Sequence, residues 1–274
     1  MYPAAIWRLL KTAPADGATN MAIDEAVLLS VQAGKSPPTL RFFAWEPVCL
    51  SLGYSQSSAD ADRARMATLG YEIVRRATGG QAILHTDELT YSVSAPLSEP
   101  RMSGGIVESY RRLSAGLLAG LEQLGMHVRN DQGTPAAQLD GPVCFEMPSK
   151  YEITVNDKKL IGSAQVRKRA VALQHGTLPL EGDIARICDA LAFPNEAMRA
   201  AARARVRSRA TTITEALGRP IHWEVAAHAL AEGFARALNI SYERNGLTIE
   251  EEQEVERLRV EKYGNEAWTA RVQG

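Results

Sequence analysis

Alternation of apolar and polar positions predicts strands over the first two-thirds of the chain. Leu89, Tyr91 and Val93 alternate with threonine and serine, a period typical of a strand with one buried face. Turn-forming residues such as Asn156 and Asp157 separate further short apolar runs. We predict strands at residues 7–10, 39–45, 49–53, 71–76, 81–85, 89–93, 151–155, 159–166 and 170–180.

Apolar residues at helical spacing predict helices between and after these strands. One spans residues 21–32 with Thr19 and Asn20 as candidate caps, a second spans 60–69 and ends at Gly70, and a third spans 106–124. After Asp183 the predicted elements are helices, including residues 223–238 and a last helix opened by a capping box of Thr248 with Glu251. The order predicts an α+β fold with mixed or antiparallel sheets flanked by helices. We expect one domain over residues 1–274, with a sheet-rich body (1–182) holding the active site and a helical C-terminal part (183–274).

Composition narrows the possible partners and compartments. A net charge of -1 and a pI near 6.5 argue against a protein that binds nucleic acid through bulk positive charge. No apolar run approaches the roughly 20 residues that span a bilayer, and the N-terminal residues lack a signal-peptide pattern. We therefore expect a cytoplasmic protein without a membrane or nucleic-acid partner, and a monomer by default.

Three cysteines leave two interpretations open. Their odd number and the lack of CxxC spacing exclude a disulfide framework and make a zinc site improbable. Cys49 and Cys188 lie in apolar runs and are predicted core residues, whereas Cys144 has polar neighbours. An isolated cysteine is usually core filler. However, Cys144 comes just before the first of three consecutive predicted strands, and Lys159 and His175 belong to the other two. A thiol, an amine and an imidazole that met there would suit acyl transfer.

Gly79 and Gly80 stand between two predicted strands. Dinucleotide fingerprints and P-loops require a helix after their glycines, so the pattern favours close backbone approach to another kind of ligand. The surrounding run from Arg75 to His85, Arg-Arg-Ala-Thr-Gly-Gly-Gln-Ala-Ile-Leu-His, resembles a motif of the lipoate–protein ligase and octanoyltransferase superfamily, which is related to biotin–protein ligases. Residues 159–165 (Lys-Leu-Ile-Gly-Ser-Ala-Gln), 173–180, 20–26 and 41–56 extend the resemblance. Gln81, where the family often has a third glycine, and Thr86, inserted before Asp87, depart from it.

The resemblance implies an activity and roles for particular residues. Residues 143–152 are similar to those of cysteine-dependent enzymes that transfer octanoyl from acyl carrier protein to the H protein of glycine cleavage, without a cofactor or metal. Cys144 would be the nucleophile, and Lys159 would stabilise its thiolate and later accept a proton. The backbone N–H groups of residues 162–164 are the expected oxyanion donors. The resemblance also implies the residues that line the acyl site, which are Arg76, Thr78, Gly79, Gly80, His85, Gly162, Ser163, Ala164 and His175.

Other interpretations remain open. The chain could be an amidotransferase that moves octanoyl from H protein to E2 subunits, an ATP-dependent lipoate ligase, or a non-catalytic acyl-binding protein. Without the motifs, Arg75 and Arg76 would be surface charges, Lys159 a solvated lysine and His85 a satisfied core residue. An arginine series is ordinarily a solvated helix face, but it could also attract acidic carrier proteins; its members are Arg199, Arg203, Arg205, Arg207 and Arg209.

Overall fold

The computed structural model describes residues 2–126, 128 and 153–271. Its described strands form a seven-stranded mixed sheet in the order β10-β1-β2-β6-β9-β8-β7 and a three-stranded sheet in the order β4-β3-β5. The strands are β1 (Ala5–Lys11), β2 (Thr39–Phe43), β3 (Cys49–Leu52), β4 (Glu72–Arg75), β5 (Ile83–His85), β6 (Glu88–Pro96), β7 (Ile153–Val155), β8 (Lys158–Lys168), β9 (Val171–Pro179) and β10 (Ile240–Arg244). All nine predicted strands are present. Their ends differ by up to three residues, and residues 151 and 152 of the predicted 151–155 strand lie outside the described residues.

Helices cover both faces of the larger sheet. They are α1 (Gly17–Gln32), α2 (Arg63–Leu69), α3 (Ile106–Gln123), α4 (Ile187–Ala190), α5 (Glu196–Arg209), α6 (Ile213–Leu217), α7 (Trp223–Leu238), α8 (Ile249–Leu258) and α9 (Glu266–Ala270), with a π-helical turn at Arg259–Tyr263. α3 and α7 bury their apolar residues against side chains such as Phe42 and Tyr91. α1 packs on the opposite face, where Leu10 and Leu173 meet Ile23. No helix in the described part of the chain is long and apolar enough to cross a membrane.

The prediction that the 89–93 strand has one exposed face is wrong. In β6 the threonine and serine positions are as buried as the apolar ones, because α1 covers them. Ser92 donates a hydrogen bond of 2.8 Å to Asp24 of α1. Short hydroxyl side chains are thus buried with their hydrogen bonds satisfied, which removes the usual cost of burying a polar group.

The start of α1 also differs from the prediction. Asp16 is the N-cap, and its carboxylate accepts the Thr19 N–H at 2.7 Å. Asn20 is fully buried and donates instead to the carbonyls of Ala15 and Ala44, at 2.9 Å each. Other local predictions are confirmed: Gly70 ends α2 at φ 69°, and Thr248 forms a capping box at the start of α8.

The C-terminal part was predicted to be helical, but it also contains a strand. β10 lies at the edge of the seven-stranded sheet and pairs in parallel with β1, with Ala5 opposite Ile240. Arg8 of β1 also forms a buried bidentate ion pair with Glu251 of α8, at 2.7 and 2.8 Å. The C-terminal elements are therefore part of the same sheet and core as the N-terminal ones.

Candidate active site

A pocket lies between the two sheets. Most of its surface is apolar, with Met21, Trp45 and Ile83 among the lining residues. Seven predicted site residues also line it, namely Arg76, Gly80, His85, Gly162, Ser163, Ala164 and His175. Strands distant in sequence therefore bring both motif segments to one cavity, which has the mostly apolar lining of a small-molecule site.

Arg76 holds the loop of residues 77–81 in one conformation. We call this loop, which contains Gly79 and Gly80, the glycine loop. Its guanidinium donates to the carbonyls of Ser51, Gly79 and Gln81 at 2.8–3.0 Å. It is buried, as is Arg75, so the interpretation of these arginines as surface charges is wrong. Because most of its donors are committed to backbone carbonyls, the described contacts of Arg76 fix the shape of the loop.

Arg75 links the same loop to the C-terminal segment. It donates to the carbonyls of Gly53 at 2.7 Å, Gln56 at 2.6 Å and Thr269 at 2.8 Å. A Cβ at Gly53 would lie 1.7 Å from the carbonyl oxygen of Gly80. The two glycine-containing turns therefore touch, and a side chain at Gly53 would separate them.

A buried hydrogen-bonded chain connects the loop to α1. Thr78 Oγ1 lies 2.6 Å from His175 Nε2, and His175 Nδ1 lies 3.3 Å from Asp24 Oδ2. Burial raises the pKa of Asp24, but the guanidinium of Arg41 at 2.7 Å and the bond to His175 outweigh burial and hold it below its ordinary value. Burial lowers the pKa of His175. A carboxylate beside a neutral imidazole requires that Nδ1–H donates to Asp24 and that Nε2 accepts from the Thr78 hydroxyl.

His85 is held in the pocket wall by three neighbours. Its ring stacks on Trp45 at 3.8 Å between centroids, Nδ1 contacts Glu88 at 2.6 Å, and Nε2 contacts Ser51 at 2.8 Å. Glu88 also accepts from Thr90 at 2.6 Å. Both ring nitrogens are occupied, so the geometry agrees with the satisfied core histidine, although its ring contributes to the lining.

Lys159 is buried beside the pocket, which makes the interpretation as a solvated lysine wrong. It is 4% exposed, and its carbonyl accepts the N–H of Thr211 at 3.0 Å. A Cβ at Gly162 would lie 3.0 Å from Lys159 Cε and 3.4 Å from Nζ. The amine therefore lies over Gly162, one of the lining residues, and the glycine leaves room for it.

The small residues of β8 form the opposite wall. Ser163 pairs across the strands with Gly176, and its hydroxyl lies 2.7 Å from the Tyr91 hydroxyl. A Cβ at Gly176 would lie 2.4 Å from Ser163 Oγ, so only glycine permits this approach. Burial raises the pKa of Tyr91, which keeps it neutral as a partner of Ser163. The assignment of oxyanion donors to residues 162–164 stays a prediction.

Among the described residues, three predicted site residues are not part of the pocket lining: Lys159, Gly79 and Thr78. Cys144 is outside the described residues, so its meeting with Lys159 stays a prediction. Gly79 is exposed on the loop, and Thr78 is fully buried and contacts the lining residue His175. The cysteines predicted as core residues, Cys49 and Cys188, are both buried.

Sequence reasoning overlooked several lining residues and a supporting carboxylate. Trp45, Ser51 and Thr90 lie in segments that resemble the family or alternate as strands, but nothing in their spacing indicates a shared cavity. Asp24 lies in the 20–26 segment of the resemblance, which was the available signal. Among the described residues, no cluster of three or more His, Cys, Asp or Glu side chains is arranged to hold a metal ion.

The arginine series on α5 is largely paired within the chain. Arg199 is buried and donates to Leu191 O at 2.9 Å, contrary to a solvated face. Arg203 forms an ion pair with Asp189, and Arg207 pairs with Asp183 at 2.6 Å. Carboxylates of the same chain therefore offset much of the charge that was predicted to attract a carrier.

Comparison with known proteins identifies the family. Residues 16–235 match the model of the lipoyl protein ligase A/B catalytic domain. The chain belongs to this family. It is 42% identical to octanoyltransferase LipM of Symbiobacterium thermophilum, over 97% of this chain and 98% of that protein. It is 43% identical to octanoyltransferase LipM of Moorella thermoacetica, over 98% and 99%.

Solved structures of the family confirm the fold class. A bi-partite lipoate protein ligase from Thermoplasma acidophilum matches with a TM-score of 0.83 and 25% identity, over 98% of both chains. A lipoate-protein ligase A bound with ATP matches with a TM-score of 0.79 and 24% identity, over 96% of this chain and 98% of the other. The α+β prediction and the resemblance to this superfamily are both confirmed.

Proposed function

We propose that this chain is an octanoyltransferase of lipoate biosynthesis, which moves octanoyl from acyl carrier protein to a lysine of the glycine cleavage H protein. The observation that carries the proposal is nearly full-length similarity to curated octanoyltransferases. Proteins described as ligases share the fold at lower identity. A monomer that acts in the cytoplasm, where thiols stay reduced, completes the proposal.

The proposed reaction has two acyl-transfer steps. The Cys144 thiolate attacks the carrier thioester, which forms an octanoyl-cysteine thioester and releases the carrier thiol. The amine of the acceptor lysine then attacks this thioester, forms the amide and regenerates the Cys144 thiol. The thioester supplies the driving force for the amide, so ATP is not consumed.

Several features of the pocket suit these steps. Its apolar lining would hold an octanoyl chain away from water. The amine of Lys159 is buried beside that lining, where a cation would favour the thiolate and a neutral amine would accept the proton of the attacking lysine. The chain from Thr78 through His175 to Asp24 would keep the facing loop in one arrangement during both steps.

Intact-protein mass spectrometry tests the covalent step. The chain is mixed with octanoyl carrier protein in the absence of ATP, and we expect an added octanoyl mass that hydroxylamine removes. Cys144→Ala should abolish the adduct, whereas Cys188→Ala, which changes a buried cysteine away from the pocket, should retain it.

Other results would favour the alternatives. Acylation of an acceptor that survives Cys144→Ala and demands ATP would make the chain a lipoate ligase. Preference for octanoyl-H protein as donor and an E2 lipoyl domain as acceptor would make it an amidotransferase. No acyl transfer under any of these conditions would leave an acyl-binding protein.

A further inference from the structure

Three consecutive basic residues stand where β8 ends: Arg167 and Lys168 are its last two residues, and Arg169 follows in the turn to β9. Arg112 of α3 lies beside them, because it and Arg167 both bind the loop at residues 102–105. Arg112 donates to Ser103 O, and Arg167 donates to Gly105 O at 2.7 Å. We call these four residues the basic tip.

Most of the positive charge at the basic tip is not offset by a carboxylate. The hydrogen bonds that Arg167 and Arg112 donate within the described part of the chain go to carbonyl, hydroxyl and amide oxygens, and Arg169 is exposed at φ 52°. In the described part of the chain none of these three guanidinium groups belongs to an ion pair. Lys168 alone has a carboxylate partner, Glu25 at 2.9 Å, and its side chain remains 40% exposed.

Glu108, four residues before Arg112 on α3, lies near the basic tip and offsets part of its charge. Glu108 is exposed and lies against the turn at Gly105, but among the described residues it pairs with no arginine of the basic tip. On α5, by contrast, Arg203 and Arg207 each contact an aspartate. Uncompensated charge of one sign attracts partners of the other sign and speeds their encounter.

β8 leads directly from the pocket to the basic tip. Ala164 lines the pocket, and Arg167 and Arg169 follow it by three and five residues along an almost continuous extended run. At about 3.3 Å per residue the basic tip lies roughly 10–17 Å from the lining. A partner seated there would not itself reach the pocket, so its acyl group must arrive on an extended arm.

We propose that the basic tip is the docking surface for the acyl donor, an acidic protein that holds its thioester on a long flexible arm. This inference rests on the proposed function. A pantetheine arm has about as many chain atoms as four residues of extended backbone, or roughly 15 Å, which matches the separation. The acceptor lysine has a much shorter reach, so the acceptor must sit against the pocket mouth rather than at the basic tip.

Charge reversal with two donors tests the proposal. Arg169→Glu alters an exposed residue that forms no side-chain hydrogen bond or ion pair with the other described residues. The double variant Arg112→Gln/Arg169→Glu removes more charge. Arg236→Glu is the control, because it reverses the charge of an exposed arginine outside the basic tip. Arg236 lies on α7, its side chain is 59% exposed, and its guanidinium lies 3.8 Å from the Glu122 carboxylate. Initial rates are measured with octanoyl carrier protein and with protein-free octanoyl-pantetheine, at low and high salt.

We expect Arg169→Glu to raise the KM for octanoyl carrier protein about three- to tenfold at low salt, and the double variant to raise it further. High salt should remove most of the difference. Rates with octanoyl-pantetheine, and the KM for the acceptor, should match those of the unmodified chain. Arg236→Glu should behave like the unmodified chain with both donors.

Three results would overturn the docking surface. They are an unchanged KM for the carrier, an equal loss with octanoyl-pantetheine, and a rise in the KM of the acceptor instead of the donor. Each leaves the proposed function intact, provided that the unmodified chain transfers octanoyl. Failure of the unmodified chain with both donors would refute the proposed function itself.

Discussion

The hydroxyl of Thr78 sits between a donor and an acceptor. It accepts from Arg76 Nε at 3.2 Å and donates to His175 Nε2 at 2.6 Å, while His175 donates to the ionised Asp24. Each proton in this chain has one assigned position. Thr78 does not line the pocket, but its hydroxyl connects the glycine loop to His175. That loop contributes Gly80 to the lining.

Replacing this hydroxyl tests its positioning role. Thr78→Val keeps the shape but leaves Arg76 Nε and His175 Nε2 without their shared partner, whereas Thr78→Ser keeps the hydroxyl. We expect Thr78→Val to lower the free energy of unfolding by about 1–3 kcal/mol and kcat/KM for octanoyl transfer by about tenfold. Urea unfolding and steady-state kinetics measure both quantities.

The serine variant is the control. If Thr78→Ser loses as much activity as Thr78→Val, the methyl group rather than the hydroxyl matters, and the positioning role fails. Recovery of kcat/KM by serine, with stability restored as well, would support it.

Residue identities predicted the site better than its connections. Thr78, Lys159 and His175 were predicted as site residues from the resemblance to family motifs, and the structure brings all three to or beside one pocket. The pairing of His175 with Asp24 joins residues 151 positions apart. No local spacing encodes such a contact, since it depends on α1 packing across β6 and β9.

At the scale of elements, the spacing of hydrophobic residues predicted where strands lie better than it predicted how buried their faces are. β6 has a strict alternation, yet both of its faces are buried. The serines and threonines are short enough to be covered by α1, and their hydroxyls find partners such as Asp24. A period-2 pattern distinguishes two faces, but it does not say whether a second layer covers the polar one.

The packing of α3 against α7 depends on glycines that the sequence did not single out. A Cβ at Gly233 of α7 would lie 2.3 Å from Gly120 N and 2.4 Å from Gly116 O of α3. The atoms that block it belong to backbone, so no side-chain rotation relieves the contact. The two helices approach closely only because these positions lack side chains.

Gly233→Ala should force the helices apart. We expect the free energy of unfolding to fall by about 1–3 kcal/mol, the usual cost of overpacking, even though alanine favours helix formation. Gly246→Ala, at a position with no atom within 4 Å of the added Cβ, is the control. Urea unfolding of both variants checks this, and equal stability would show that α3 and α7 adjust without cost.

At the scale of the whole molecule, C-terminal elements contact both the N-terminal strand and the residues that precede the glycine loop. β10 extends the sheet beside β1, and Trp268 donates to Arg75 O at 2.8 Å. The sequence predicted the helices of this region from their apolar stripes and caps. It did not predict where they dock, because docking depends on contacts such as Arg8 with Glu251 that join opposite ends of the chain.

Glu25 joins three separate parts of the fold through one buried carboxylate. It contacts Lys168 at the end of β8 and Lys262 and Tyr263 of the π-helical turn. Burial raises its pKa, but the hydrogen bonds from Lys262 and Tyr263 and the charge of Lys262 outweigh burial and lower it from 4.5 to about 2. The folded state therefore binds this proton less readily than the unfolded state does.

The lowered pKa makes stability depend on pH in a defined direction. The contribution of ionised Glu25 is fully present above about pH 4.5 and is lost as pH falls towards 2. Its size is about 3 kcal/mol, at 1.36 kcal/mol per unit of pKa. Glu25→Gln should therefore be less stable than the unmodified chain at pH 7, and the difference should shrink steadily below pH 4.5.

Urea unfolding at pH 7, 5, 4 and 3 measures this difference, with the exposed Glu224→Gln as control. A difference that stays constant with pH would mean that Glu25 acts through shape alone, because a charge effect must disappear once the carboxylate of the unmodified chain is protonated.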